Sequence, residues 1–79
     1  MSIEPNPTKG NLNLIFNNEL QGKANVEIWD MTGKLINATT HDLNGETNLS
    51  LEMNHMPNST YYIRVITGNT TFGDKVVKH

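Results

Sequence analysis

The stretch Asn25–Ile36, with the sequence N-V-E-I-W-D-M-T-G-K-L-I, decides the fold class of this chain. Its two apolar residues Val26 and Ile28 alternate with polar neighbours, which is the period of two that a half-buried β-strand requires. Asp30 and Gly33 then occupy the first and fourth positions of a type I turn, and glycine tolerates the left-handed backbone that closes such a hairpin. We therefore predict a β-hairpin over this stretch.

Length and composition limit the possible classes of protein. Seventy-nine residues form one domain with a thin core. The net charge of −2 predicts neither a nucleic-acid surface nor binding to an anionic membrane. No segment approaches the roughly 18 apolar residues of a membrane span. The absence of cysteine suits a cytosolic protein, or an exported bacterial domain held together by packing. Residues 1–5 have neither the basic region nor the apolar run of a signal peptide; if the domain is exported, its export signal is expected upstream in a longer protein.

The rest of the chain predicts further short strands separated by turns. Strands are predicted over Asn11–Phe16, Thr47–Leu51, Tyr61–Thr67 and Thr70–Lys78, and turns over Asn17–Gly22, Asn44–Gly45 and Gly68–Asn69. Met53 and Met56 are expected to fill the core beneath the connection that contains Pro57. Regularly spaced strands without a convincing helix predict an all-β, antiparallel sandwich of six to seven strands.

No set of residues predicts catalysis, a metal site or a cofactor. His41, His55 and His79 are scattered, without the spacing of metal ligands. The serines stand in no nucleophile motif, and there is no glycine-rich phosphate loop. Trp29 lies on the face opposite Val26. It is expected to cover the core or an edge; if exposed, it is able to stack on a sugar ring.

The end of the chain, Lys75-Val76-Val77-Lys78-His79, has two interpretations. The first is an edge strand that its lysines protect against aggregation. The second is a terminal strand offered to a partner, by strand addition or by capture of its carboxylate. On the residues alone the first is favoured.

Five separated motifs occur in a fixed order along the chain. They are P-N-P-T-x-G at 5–10, V-x-I-W-D-x-x-G-K at 26–34, N-L-S-L at 48–51, T-Y-x-I-R-V at 60–65 and K-V-V-K at 75–78. Together they make the chain resemble the type A C-terminal sorting domains of the bacterial type IX (Por) secretion system. The resemblance covers nearly the whole chain.

The resemblance implies a fold and a function. Such domains are small immunoglobulin-like β-sandwiches that end larger secreted proteins of Bacteroidetes, so residues 1–79 are expected to be one C-terminal sorting domain joined to an upstream cargo. The family carries its cargo through the outer-membrane translocon, and a sortase-like surface peptidase usually removes the domain and attaches the cargo to anionic lipopolysaccharide. The implied location is the periplasm in transit, then the outer-membrane surface or the medium. The implied partners are the translocon and the peptidase, with neither nucleic acid nor membrane insertion.

The resemblance also implies which residues matter. The residues expected to be recognised by the translocon are Lys75, Val76, Val77, Lys78 and His79, and the structural motif residues are Pro5, Asn6, Pro7, Gly10, Asp30, Gly33, Lys34 and Tyr61. The family's G-x-Y motif has Ser59 at the glycine position, and serine disfavours positive φ, so a rebuilt turn is expected there. We expect the last strand and the nearby hairpin to form one recognition surface. Two alternatives are a glycan-binding or adhesion module using Trp29, Tyr61 and Tyr62, and a passive immunoglobulin-like spacer.

Overall fold

The computed structural model describes all 79 residues and contains five β-strands. They are β1 (Ser2–Glu4), β2 (Asn11–Asp30), β3 (Leu35–Glu52), β4 (Ser59–Thr67) and β5 (Thr70–Lys78). All strand pairs are antiparallel. There is no helix long and apolar enough to cross a membrane.

The sheet is organised around the long strand β2. Strand β3 pairs with it along one side, from Asn11↔Glu52 to Trp29↔Leu35. On the other side, β1 pairs with the first part of β2 and β4 pairs with the last part. Strand β5 then pairs with β4. The sheet curls until its two margins meet, because Thr8, which follows β1, forms a parallel bridge with Lys78 of β5. The result is all-β and consistent with a small immunoglobulin-like β-sandwich, which confirms the predicted fold class.

The curled sheet encloses one hydrophobic core. Its buried side chains come from all five strands and from the connection between β3 and β4: Ile3, Leu12, Leu14, Phe16, Leu20, Ala24, Val26, Ile28, Leu43, Met53, Met56, Tyr61, Ile63, Val65 and Val76. The alternating residues Tyr61, Ile63 and Val65 face inward, and Met53 and Met56 fill the core beneath their loop as predicted. Phe16 and Phe72 pack edge to face with ring centroids 5.1 Å apart.

The structure has five strands where six to seven were predicted, because two expected turns lie inside long strands. Asn17–Gly22 belongs to β2 and Asn44–Gly45 belongs to β3. Gly22 and Gly45 do have positive φ, at +83° and +90°. The pairing register shifts beside them, between Ile15 and Gln21 of β2. The two glycines therefore lie in a bulged, irregular part of the β2–β3 ladder. The chain continues in the same direction through each of them and does not form the predicted turns.

Candidate functional site

The central hairpin is confirmed, and Asp30 holds its turn together. One carboxylate oxygen of Asp30 accepts two hydrogen bonds from Thr32, one from its backbone N–H at 2.9 Å and one from its side-chain hydroxyl at 2.6 Å. The same oxygen accepts a third from the backbone N–H of Lys34 at 2.9 Å. Gly33 has a φ of +87°, and its N–H donates to the Asp30 carbonyl. The Thr32 hydroxyl, followed by the Lys34 N–H, lowers the pKa of Asp30 below its usual value. The turn motif is thus a locally satisfied unit.

A row of opposed residues runs from the hairpin to the chain end across four strands. The register pairs Leu35 with Trp29, Trp29 with Tyr62, and Tyr62 with Lys75. Directly opposed residues of an antiparallel ladder share a face, and neighbouring strands lie about 4.8 Å apart. We call these four residues the outer row. It faces away from the core, because the next residues along the strands, such as Ile63, are buried.

Trp29 is held in the outer row by charged neighbours. Its indole N–H donates to Glu27 Oε1 at 3.2 Å, and the Arg64 guanidinium carbon lies 5.4 Å from the ring centroid. Arg64 Nε and Nη2 both approach the same Glu27 oxygen at 2.7 Å. Hydrogen bonding from Arg64, aided by Trp29 and opposed by burial, lowers the pKa of Glu27. Trp29 is partly buried, so it covers the outside of the sheet and is not part of the core.

The aromatic residues leave a shallow cleft beside the hairpin. Its volume is about 330 Å³, and its walls include Trp29, Met31, Tyr62 and Arg64. Met31 is 52 % exposed. Tyr62 lies over Gly73 of β5, where an added Cβ would stand only 1.8 Å from the Tyr62 hydroxyl. A glycine inside a strand often marks such a close approach, and this signal was available in the sequence.

Tyr61 occupies a different environment from its neighbour. It is 3 % exposed, and its hydroxyl donates to the Pro57 carbonyl at 2.6 Å, which ties the 53–58 connection to β4. A tyrosine at the start of a strand, bonded to backbone a few residues upstream, is also a feature of immunoglobulin-like domains. Because Tyr61 points into the core, no sugar-stacking platform of Trp29, Tyr61 and Tyr62 exists on this surface.

Ser59 begins β4 and pairs with Lys78. All non-glycine residues have negative φ, so serine at this position needs no unusual backbone conformation. The difference from the family's glycine-containing turn stays a prediction.

The tail, by which we mean Lys75–His79, is a strand with two different faces. Val76 is fully buried, and Lys78 is only 8 % exposed, with its amine donating to Asn58 Oδ1 at 3.1 Å. Lys75, Val77 and His79 are exposed. Of the two lysines, only Lys75 therefore presents its charge on the surface, because Lys78 is directed inward and hydrogen-bonded.

The entry segment, Pro5–Thr8, lies along the tail. Asn6 Nδ2 donates to the Lys75 carbonyl at 3.0 Å, and Asn6 Oδ1 accepts from the Val77 N–H at 3.0 Å. Pro5 and Pro7 flank this asparagine and are exposed. Gly10 follows, with a φ of +148°, and packs against Asn54. The sequence contained no signal for these contacts, since the partners are 69 and 71 residues apart.

Four of the five motifs therefore meet at one end of the molecule. Asp30 of the hairpin is opposite Tyr61, Tyr61 is opposite Val76, and the tail contacts the entry segment. The N-L-S-L motif lies elsewhere, opposite the start of β2. Fold and surface together define a small immunoglobulin-like module whose two chain ends and central hairpin share one surface.

Comparison with known protein families agrees with this description. The family model for the secretion system C-terminal sorting domain matches residues 2–79 of the sequence, and the chain belongs to that family. A search of curated proteins gives no match. The domain is thus a type IX sorting signal on a cargo protein, from a family that is not an enzyme family. Membership implies interaction with the secretion system and export toward the cell surface or extracellular space.

Proposed function

We propose that residues 1–79 are the single C-terminal sorting domain of a larger secreted protein, and that the translocon recognises the tail together with the outer row. The cargo crosses the periplasm and the outer membrane. A sortase-like peptidase then removes the domain and joins the cargo to the cell surface. The main support for this recognition surface is the strand pairing, in which Trp29 is opposite Tyr62 and Tyr62 is opposite Lys75. This pairing places the hairpin and the tail side by side on adjacent strands.

The composition of this surface supports a protein partner. Tryptophan, tyrosine, arginine and methionine are enriched in the buried cores of protein–protein interfaces, and all four occur around the cleft. The most exposed large apolar side chains also belong to the same two elements, namely Met31, Leu35 and Ile36 in the hairpin and Val77 in the tail. An exposed apolar surface of this kind is typical of an interaction site.

The test uses a reporter that carries an export signal and this domain, in a bacterium with the type IX system. Deleting Lys75–His79 is expected to abolish surface delivery. Because that deletion also removes the buried Val76, the sharper variant is the pair Lys75→Ala and Val77→Ser, which alters only the exposed face. Lys23→Ala is the matched control, since Lys23 is an exposed lysine whose ion pair with Asp42 lies away from the tail.

We expect the double variant to reduce delivery while its thermal unfolding stays close to that of the parent domain. Lys23→Ala is expected to change neither quantity. Normal delivery of the folded double variant, or of the deletion, would contradict recognition of the tail and would favour a passive spacer. Reporter retained on cells after delivery, but released in a strain without the surface peptidase, would support removal and attachment.

A further inference from the structure

The free edge of the tail is covered by the chain's own entry segment. Besides the two bonds to the Asn6 side chain, the Thr8 N–H donates to the Val77 carbonyl at 2.8 Å, and the His79 N–H donates to the Thr8 carbonyl at 3.0 Å. Four hydrogen bonds thus join Pro5–Thr8 to Lys75–His79. The other edge of the tail pairs with β4. A partner cannot add a strand there unless the entry segment leaves.

Asn6 reproduces what a strand residue would provide. Its side-chain amide donates to one carbonyl and accepts from one N–H of the tail, as the backbone amide of a neighbouring strand does. The two flanking prolines lack the N–H group that would be needed for backbone pairing at their positions. The side chain of Asn6 therefore provides the hydrogen bonding that the proline-rich backbone cannot provide.

The entry segment is itself anchored to the core at its other end. Thr8 is 1 % exposed, and its hydroxyl donates to the Asn11 carbonyl at 2.8 Å and accepts from the Gly10 N–H at 3.0 Å. The Gly10 carbonyl accepts from the Met53 N–H at 2.7 Å. Thr8 is thus held in place by burial and hydrogen bonds, whereas Asn6 is exposed and contacts the tail only through its side chain.

We propose that the entry segment is a clamp that holds the tail in strand register, with Asn6 as the positioning residue, so that the sorting signal consists of both chain ends. The inference rests on the proposed function and adds a requirement to it. Terminal strands paired on one side fray readily, and a frayed tail would have to be ordered by its partner at a cost in affinity. The clamp removes that cost before recognition.

The test compares Asn6→Ala with Asn25→Ala in the full domain. Asn25 is an exposed asparagine of β2 that accepts a hydrogen bond from the Thr40 hydroxyl, so its substitution also removes a side-chain bond but leaves the clamp intact. Amide hydrogen exchange at Val77 reports directly on the bond to Asn6. We expect Asn6→Ala to accelerate exchange at Val77 by about fivefold or more and at His79 as well, with delivery of the reporter clearly reduced.

Asn25→Ala is expected to leave Val77 exchange and delivery unchanged. Asn6→Asp keeps an acceptor for the Val77 N–H but places a carboxylate oxygen against the Lys75 carbonyl, which repels it. We therefore expect Val77 exchange and delivery in Asn6→Asp to lie between those of the parent domain and Asn6→Ala. Unchanged Val77 exchange in Asn6→Ala overturns the clamp. Faster exchange with normal delivery overturns the positioning role. If the tail variant Lys75→Ala, Val77→Ser blocks delivery and Asn6→Ala does not, the clamp is refuted but recognition of the tail by the translocon stands. If both variants deliver normally, recognition of the tail and the clamp are both refuted.

Discussion

The two adjacent tyrosines allow a matched test of how the fold is held together. Tyr61→Phe removes a single hydroxyl, which donates to the Pro57 carbonyl at 2.6 Å, and keeps the buried ring. A neutral hydrogen bond contributes about 1 kcal/mol net to the free energy of unfolding. For a domain of this size, 1 kcal/mol corresponds to about 4–8 °C in Tm. We therefore expect Tyr61→Phe to lose about 1 kcal/mol and to unfold about 4–8 °C lower.

Tyr62→Phe is the control, because the same atom is removed one residue away. The Tyr62 hydroxyl lies over Gly73 on the outer face of the sheet, where water reaches it. Substitutions at such positions usually change stability by less than about 0.5 kcal/mol. Urea unfolding followed by circular dichroism measures both variants. Equal losses, or a larger loss in Tyr62→Phe, would refute the idea that the Tyr61–Pro57 bond ties the 53–58 connection to the sheet.

Three further predictions concern the core, the entry and acid stability. Leu14→Ala removes a fully buried side chain and is expected to lower the free energy of unfolding by about 2–5 kcal/mol, measured as a lower midpoint in urea unfolding. Gly10→Ala is expected to destabilise more than Gly22→Ala in urea melts: both have positive φ, but only at Gly10 does an added Cβ meet Asn54, whereas Gly22 has open space. Stability is expected to fall as the pH drops below about 4, because the folded-state pKa values of Glu27 and Asp30 are lowered. Their contribution is complete above the unfolded-state pKa and is lost as the pH passes down through the folded-state pKa; thermal melts across that range check this, and a flat profile contradicts it.

The correctly predicted parts of the fold are those that local chemistry determines. The hairpin follows from Asp30 and Gly33, whose partners lie within four residues. Strands β4 and β5 follow from a run of β-prone residues over 61–67 and the two-residue turn at Gly68 and Asn69. The inward placement of Tyr61 and Val65 required only the period of two and the presence of a core.

The incorrectly predicted turns show what local chemistry leaves open. A bulge and a hairpin turn both favour glycine at positive φ, so Gly22 and Gly45 satisfy either. The distinction depends on where the next residues pair. Here Gln21 pairs with Asn44, so the two irregular regions lie opposite each other in one ladder. This pairing joins residues more than twenty positions apart, so neither the sequence around Gly22 nor the sequence around Gly45 reveals it.

The candidate site depended even more on distant pairing. Asn6 was assigned to a structural motif and Lys75 to a recognition motif, and nothing in either motif indicates that the two make contact. Their hydrogen bond arises because the sheet curls and brings its margins together at Thr8 and Lys78. Gly73 was the one local clue, since a glycine inside a strand favours close approach of a neighbouring group.

The tail is better described by the alternation of its side chains than by its charge. In K-V-V-K, Val76 and Lys78 point inward, and Lys78 is satisfied by Asn58, so the second lysine contributes to folding. Lys75 and Val77 point outward, and Lys75 extends the row that starts at Leu35 and includes Trp29. A partner that reads the folded tail thus meets one cation and one valine next to aromatic side chains of neighbouring strands. Since those neighbours are brought to the tail only by folding, the surface we propose is a property of the folded domain, and an isolated tail peptide would lack most of it.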